Sequence, residues 1–259
     1  SSNFILKGGL FIYTLTEFQS RATQDIDFLM RQLSNDIGKV KDIMEEISLV
    51  PTANDYITIE VLKAETITPD KEYQGVSVKF IGRIKQVKIP FSIDIGMDDV
   101  IVPKAVKRMI KTRLSDFEAP EVYTYSLEST IAEKFDAILK RMEATSRMKD
   151  FFDIYYLSSM FDFEGRKLQE AIWQTIQHRG TPYEANSFDR IAAFGANIYL
   201  SAQWTRFQPS IRVQLPEFEV IIKRIKEFLE PVLEASLHEK EFFCEWYAEE
   251  KKWKEQSLK

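Results

Sequence analysis

The spacing of the apolar residues changes near residue 125, and this change limits the architectures open to the chain. Before it, segments that alternate with a period of two are interleaved with segments of helical spacing, which indicates a mixed sheet with flanking helices. After it, almost every segment has helical spacing. We therefore predict an α+β fold, with a mixed-sheet domain over 1–122 and a helical C-terminal domain over 123–259.

The individual elements follow from the same patterns. Strands are expected at 3–6, 25–29, 56–67, 76–84 and 87–95, and helices of the first domain at 10–18 and 32–47. The helices predicted for the second domain are 126–144, 148–161, 164–178, 187–204, 216–232 and 237–255. The last of these carries Phe243, Trp246 and Trp253 at helical spacing, which we interpret as a packing or docking stripe rather than a base-stacking platform.

Composition excludes several classes of protein. Hydrophobic residues make up 44% of the chain, enough for a buried core, and no apolar run reaches the roughly 18–20 residues of a membrane span. We therefore expect a soluble, cytoplasmic protein without a membrane partner. One cysteine and two histidines are too few for an internal disulfide or a zinc site, so carboxylates must hold any metal.

Three aspartates are candidate metal ligands. Asp25 and Asp27 are two residues apart on a predicted strand, so their side chains share one face. Asp94, on the polar face of a later strand, offers a third carboxylate. Hard oxygen ligands of this kind suit Mg²⁺, although a solvated strand face is the alternative interpretation.

A glycine pair next to a lysine is a candidate phosphate site. Gly8 and Gly9 lie between a strand and a helix, where backbone without side chains can approach an anion at a helix N-terminus. Lys7, directly before them, adds a positive charge. An ordinary tight turn would give the same pattern.

Charged residues also occur on helices that should be buried. Lys134 lies at the flank of an apolar stripe, either as a functional cation or as a lysine whose stem packs while its ammonium reaches water. The helix 148–161 is apolar nearly all round, yet it carries Asp150 and Asp153. Buried carboxylates need partners. The available cations are Lys134, Arg141, Arg147 and Lys149.

Four blocks of the sequence, in this order, resemble the AbiEii/AbiGii toxin family of nucleotidyltransferases, whose relatives include the MenT toxins. The blocks are 6–9, 21–27, 126–134 and 147–155. The resemblance implies a DNA polymerase β-like nucleotidyltransferase fold with a helical C-terminal part. Members of the family are toxins of bacterial toxin–antitoxin and phage abortive-infection systems.

The resemblance also implies roles for individual residues. The residues implied to bind or support the nucleotide are Lys7, Gly8, Gly9, Arg21, Thr23, Lys134 and Asp153. The residues implied to be catalytic are Asp25, Asp27, Asp94, Lys134 and Asp150, and the first three of them are the implied metal ligands. Lys134 and Asp150 would come to the site from the helical domain.

The implied activity is the Mg²⁺- or Mn²⁺-dependent transfer of a nucleoside monophosphate from an NTP to RNA, at the 3′ end of tRNA in better-known relatives. A cognate antitoxin is the implied protein partner. Two alternatives stay open: nucleotidylation of a protein, and a non-catalytic module that binds an NTP or the antitoxin. Leu10 departs from the family pattern, because many members have a small hydroxyl residue there. The chain begins at Ser1 rather than Met, as expected for a processed or trimmed product.

An RNA acceptor requires a positively charged surface, although the chain has a net charge of −5. Residues 79–113 contain nine basic and three acidic residues, a local net charge of +6. We interpret this segment as a candidate RNA-backbone surface, with an ordinary solvated face as the alternative. Its proposed RNA-binding residues are Lys104, Lys107, Arg108, Lys111 and Arg113.

Overall fold

The computed structural model describes residues 3–31, 36–51, 56–67, 75–97, 99–114, 117–211 and 214–255. The chain forms two compact units. The first comprises Ser1–Asp99 with Val106–Tyr125, and the second comprises Val100–Ala105 with Ser126–Lys259. In the described part of the chain, no helix is long and apolar enough to cross a membrane.

The first unit is built on a seven-stranded mixed sheet with the order β3-β4-β5-β2-β1-β7-β6. Its strands are β1 Phe4–Lys7, β2 Ile26–Met30, β3 Ile57–Ile67, β4 Gly75–Ile84, β5 Val87–Met97, β6 Val106–Met109 and β7 Glu121–Thr124. The pairs β2–β5 and β1–β7 are parallel, whereas the other neighbours are antiparallel. The predicted α+β fold with a mixed sheet is confirmed.

In the described residues of this unit, the sheet is accompanied by the helices α1 Gly8–Leu15 and α2 Ile37–Ser48. Val40 and Met44 of α2 are buried in a core with Val76, Val78 and Ile95 of the sheet. The predicted alternation is therefore correct: one face of β4 and β5 is apolar, which leaves the other face for polar side chains. The Asp36 side chain caps α2 by accepting a hydrogen bond from the Lys39 backbone N–H at 2.8 Å. The start of the predicted helix, residues 32–35, lies outside the described residues.

The second unit is mainly helical and also contains a small sheet. Its helices are α3 Leu127–Arg141, α4 Met148–Met160, α5 Gly165–His178, α6 Ser187–Ala192, α7 Ile198–Phe207 and α8 Phe218–Leu237. Its three strands, in the order β10-β9-β8, are β8 Phe163–Glu164, β9 Cys244–Tyr247 and β10 Lys252–Glu255.

The predicted single helix over 187–204 is wrong, because the chain forms α6, a short 3₁₀ turn and then α7. Gly195 lies in this turn, where an added Cβ would be 3.3 Å from the Cα of Glu219, so the backbones pack closely at this point. The Asn197 side chain then accepts a hydrogen bond from the Leu200 backbone N–H at 3.1 Å and begins α7.

The predicted helix over 237–255 is also wrong, because β9 and β10 form a hairpin there. Trp246 and Trp253 are register partners with ring centroids 5.4 Å apart, and both pack against Phe228 of α8. Phe243, the third member of the predicted stripe, is exposed. The two tryptophans are therefore packing residues, as predicted, but they pack from strands and not from a helix.

Candidate functional site

A row of polar side chains crosses four neighbouring strands of the first unit. Lys7 of β1 is the register partner of Asp27 on β2, and Asp27 is the partner of Asp94 on β5. Asp94 also faces Ser77 of β4, whose hydroxyl donates a hydrogen bond to Asp94 Oδ1 at 2.7 Å. Register partners project from the same face of a sheet, so we call these four residues the polar row. Sequence reasoning missed Ser77, because only strand pairing shows that it faces Asp94.

Gly8 lies directly against the carboxylate of Asp27. It has a φ of +68°, and a Cβ at this position would be 2.2 Å from Asp27 Oδ2. A side chain at residue 8 is thus disfavoured by the left-handed backbone and would displace the carboxylate. The structure therefore brings together the first glycine of the predicted phosphate site and a predicted metal ligand.

The segment before β2 packs onto the second glycine. A Cβ at Gly9 would be 2.9 Å from Thr23 Oγ1 and 3.3 Å from an Arg21 guanidinium nitrogen. Arg21 is buried, with 9% of its surface exposed. The two residues expected to support the site are thus beside the glycine pair, whereas Leu10 is half-buried in α1.

Asp25 is exposed and lies one residue before β2. The Thr23 hydroxyl oxygen accepts a hydrogen bond from the Asp25 backbone N–H at 3.2 Å, which forms a local turn. Among the described residues, no three or more His, Cys, Asp or Glu side chains form a group that could hold a metal. The structure thus pairs Asp27 with Asp94 across the sheet but does not assemble all three predicted ligands into one group.

The second unit contains a buried cluster of charged side chains. Lys134 Nζ of α3 lies 3.2 Å from Asp150 Oδ1 and 2.9 Å from Asp153 Oδ2, both on α4. Arg147 donates to Asp150 Oδ2 from its Nε at 2.6 Å. The Asp150 and Asp153 side chains are at most 1% exposed, and that of Lys134 is 10% exposed. Of the expected cations, Lys134 and Arg147 are therefore observed as partners of the α4 carboxylates.

The charges of this cluster set the protonation of Asp150. Burial alone would raise the pKa of Asp150, but the adjacent Lys134 and Arg147 hold it below its ordinary value of 3.8. The carboxylate is therefore ionised near neutral pH, and its two cationic partners compensate its charge within the fold.

This arrangement predicts acid sensitivity. A carboxylate whose pKa is lowered by folding stabilises the fold above its unfolded pKa, and it loses that contribution as the pH falls through the folded pKa. We expect wild type to exceed Asp150→Asn in free energy of unfolding near neutral pH, and the difference to shrink below about pH 3.8. Urea titrations followed by circular dichroism measure this difference. A difference that does not change with pH would contradict the assignment.

The predicted RNA-binding residues have varied surroundings. Lys107 and Lys111 are exposed and form ion pairs with Glu121 and Glu17. Arg108 is half-buried, with its guanidinium 5.8 Å from the centroid of the Phe11 ring.

The other two predicted RNA-binding residues differ from each other. Arg113 is exposed and donates a hydrogen bond to the Tyr13 hydroxyl at 3.2 Å. Lys104 is exposed and belongs to the second unit. Among these five residues, the exposed cations of the first unit are therefore Lys107, Lys111 and Arg113.

Comparison with known proteins gives one family match. Residues 1–231 match the family model described as nucleotidyl transferase AbiEii toxin, type IV TA system. The matched part contains the polar row, the glycine pair and the buried cluster of Lys134. No match was found among curated protein sequences.

Three solved structures resemble the chain. JHP933 from Helicobacter pylori is 16% identical with a TM-score of 0.49, over 92% of this chain and 90% of that chain. A putative nucleotidyltransferase from H. pylori is 14% identical with a TM-score of 0.50, over 93% of this chain and 91% of that chain. The MenT4 nucleotidyltransferase toxin from Mycobacterium tuberculosis is 14% identical with a TM-score of 0.49, over 93% of this chain and 86% of that chain. The match at 0.50 indicates a shared fold.

Proposed function

The chain belongs to the AbiEii family of nucleotidyl transferase toxins, and on this premise we propose that it transfers a nucleoside monophosphate from an NTP to the 3′ end of a tRNA. Family membership gives the coarser statement: the chain is a nucleotidyltransferase and a toxin of a type IV toxin–antitoxin system. It implies an NTP substrate and a cognate antitoxin. Nucleotidyltransferases generally use divalent metal ions.

The observation that carries the proposal is the pairing of Asp27 with Asp94 on neighbouring parallel strands. Mg²⁺ in phosphoryl-transfer enzymes is commonly held by one or two carboxylates, with water and substrate phosphate completing the shell. The polar row supplies two such carboxylates on one face, and the Ser77 hydrogen bond orients one of them. These donors fit Mg²⁺ or Mn²⁺, with Asp27 and Asp94 as the residues that would hold it.

In the proposed reaction, an RNA hydroxyl oxygen forms a bond to the α-phosphorus of the NTP, and the bond from that phosphorus to the bridging oxygen breaks. Pyrophosphate leaves with the electron pair of the broken bond, and Asp94 accepts the hydroxyl proton. Lys7 and the backbone at Gly8 and Gly9 bind the phosphates. The divalent cation, when bound, neutralises charge that develops on the phosphate oxygens.

The role of the buried cluster in the reaction remains a prediction. Family resemblance assigns Lys134 to nucleotide phosphate and assigns Asp150 and Asp153 to the same site. Within the second unit, the Lys134 ammonium already has two carboxylate partners. Substitution of Lys134 is therefore expected to change folding stability as well as activity, so the two effects must be measured separately.

Gly8→Ala is expected to lower the transfer rate about 100-fold, the size of effect that follows from a misplacement of about 1 Å at a reacting group. The new Cβ would displace the Asp27 carboxylate. Gly180→Ala is the matched control, since Gly180 has a φ of +57° but nothing lies within 4 Å of its Cβ. Both variants carry left-handed strain of roughly 1–2 kcal/mol. Equal transfer rates per folded molecule for the Gly8→Ala and Gly180→Ala variants would contradict the proposal that Gly8 leaves room for the Asp27 carboxylate.

Charge reversal tests the predicted RNA surface. Lys107→Glu combined with Lys111→Glu is expected to weaken RNA binding at least about tenfold and to reduce the salt slope of the affinity by about two. The control combines Lys41→Glu with Lys63→Glu, which reverses one half-buried and one exposed lysine, both ion-paired, elsewhere in the first unit. Filter binding at several salt concentrations gives both quantities. Unchanged affinity and slope would exclude Lys107 and Lys111 from the RNA surface.

The proposed function is tested by incubating the protein with each NTP, labelled at the α-phosphate, in the presence of purified tRNA or of a protein fraction. The expected result is Mg²⁺- or Mn²⁺-dependent label on the 3′ end of tRNA, with none after chelation by EDTA. Label on protein alone would replace the RNA acceptor by a protein target. Absence of any labelled product with all four NTPs would overturn the proposal.

A further inference from the structure

The Lys7 ammonium is held by two residues that none of the motifs contains. Its Nζ donates a hydrogen bond to Asp99 Oδ2 at 2.6 Å and a longer one to the Tyr125 hydroxyl at 3.4 Å. The ammonium also lies 5.1 Å from the centroid of the Tyr125 ring. The Lys7 and Asp99 side chains are 13% and 16% exposed, and Tyr125 is fully buried. A carboxylate and an aromatic ring thus fix the position of this cation.

The Lys7 ammonium lies on the face of the sheet that carries the polar row. A Cβ at Gly96 would be 3.7 Å from both Lys7 Nζ and Asp99 Oδ2, so the ion pair lies over Gly96. Gly96 is two residues after Asp94 on β5, so a side chain at Gly96 would project from the same face of the sheet as that of Asp94. The ammonium of Lys7, the last residue of β1, is thus held beside β5, the strand that carries Asp94.

We propose that Asp99 is a positioning residue that holds Lys7 in place for the phosphates of the NTP, an inference that rests on the proposed function. An unconstrained lysine loses up to about 2 kcal/mol of side-chain entropy when it binds a phosphate. Asp99 and Tyr125 impose that order before the nucleotide arrives, so less is lost on binding. Asp99 acts through Lys7 and does not touch the reacting atoms.

A double-mutant cycle with Lys7→Met tests the inference. Asp99→Ala is expected to raise KM for the NTP about tenfold with kcat changed less than about twofold, because it weakens ground-state binding of phosphate. In the Lys7→Met background, Asp99→Ala should change KM less than about twofold, since its effect passes through Lys7. An equal increase in both backgrounds, or none in wild type, would overturn the inference. If Asp99→Ala fails to fold, Asp99→Asn replaces it, because the amide keeps the size and one acceptor oxygen.

Calorimetric titration of the same four proteins with a non-hydrolysable NTP analogue and Mg²⁺ separates this inference from the proposed function. Binding with the predicted coupling but no transfer to RNA would overturn the function and support the positioning role. Transfer without coupling would overturn the positioning role alone. Failure of wild type to bind the analogue would overturn both.

Discussion

Asp27→Asn is expected to lower the rate of nucleotide transfer by about 10³-fold or more, equivalent to about 4 kcal/mol of transition-state stabilisation. The amide keeps the shape of the side chain but removes the negative charge that a divalent cation requires. Asp27 is the register partner of both Lys7 and Asp94, and a Cβ at Gly8 would meet its carboxylate. Incorporation of α-labelled NTP into tRNA measures the effect.

Glu60→Gln is the control for this substitution. Glu60 is an exposed carboxylate of β3 that pairs with Arg83, in the same sheet but outside the polar row. The same chemical change there is expected to leave the transfer rate within about twofold, since exposed ion pairs contribute little. If the Asp27→Asn protein transferred nucleotide at the wild-type rate, Asp27 would have no role in the reaction.

Lys134→Ala is expected to lower the free energy of unfolding by about 3–5 kcal/mol, the usual result of removing one partner from a buried ion pair. The reason is that Asp150 and Asp153 are buried and would lose a shared cation. From the sequence alone, we would expect loss of activity without unfolding. The buried cluster changes that expectation, because a loss of this size is a large part of the stability of an ordinary domain. Urea unfolding measures it.

Two further variants separate stability from activity. Lys140→Ala removes a lysine of the same helix that is 35% exposed and 3.8 Å from Asp136, and it should lower stability by less than about 1 kcal/mol. Lys134→Met combined with Asp150→Asn and Asp153→Asn removes the buried charges together and should recover most of the stability. A stable but inactive triple variant supports a role of the cluster in the reaction. Unchanged stability of Lys134→Ala would contradict the importance of the buried pairs for folding.

The faces of the strands could be predicted from the sequence, but the neighbours of each strand could not. Alternation predicts that Asp27 and Asp94 lie on polar faces of their strands. Ser77 and Asp99 became visible only when β4 and β5 were paired and the chain beyond β5 was placed. These contacts join residues 17 and 92 positions apart, and local periodicity contains no information on such pairs.

The predicted helix over 237–255 is wrong for a specific physical reason. Trp246 and Trp253 are seven residues apart, a spacing that fits two helical turns and equally fits facing positions in a hairpin. The hairpin places both rings against Phe228 and lets the Trp253 indole donate to the Phe228 backbone carbonyl at 2.9 Å. Packing against α8 therefore decides between the two structures, and that packing is not encoded in the local pattern.

We propose that Asp27 and Asp94 act together on one divalent cation during nucleotide transfer. A cycle of Asp27→Asn, Asp94→Asn and the double variant tests it most directly, with kcat/KM for label transfer to tRNA as the measured quantity. We predict that each single variant loses about 10³-fold or more and that the double variant is within about tenfold of the weaker single one, as for residues that act as a unit. Multiplication of the two losses, or full activity of either single variant, would contradict the claim.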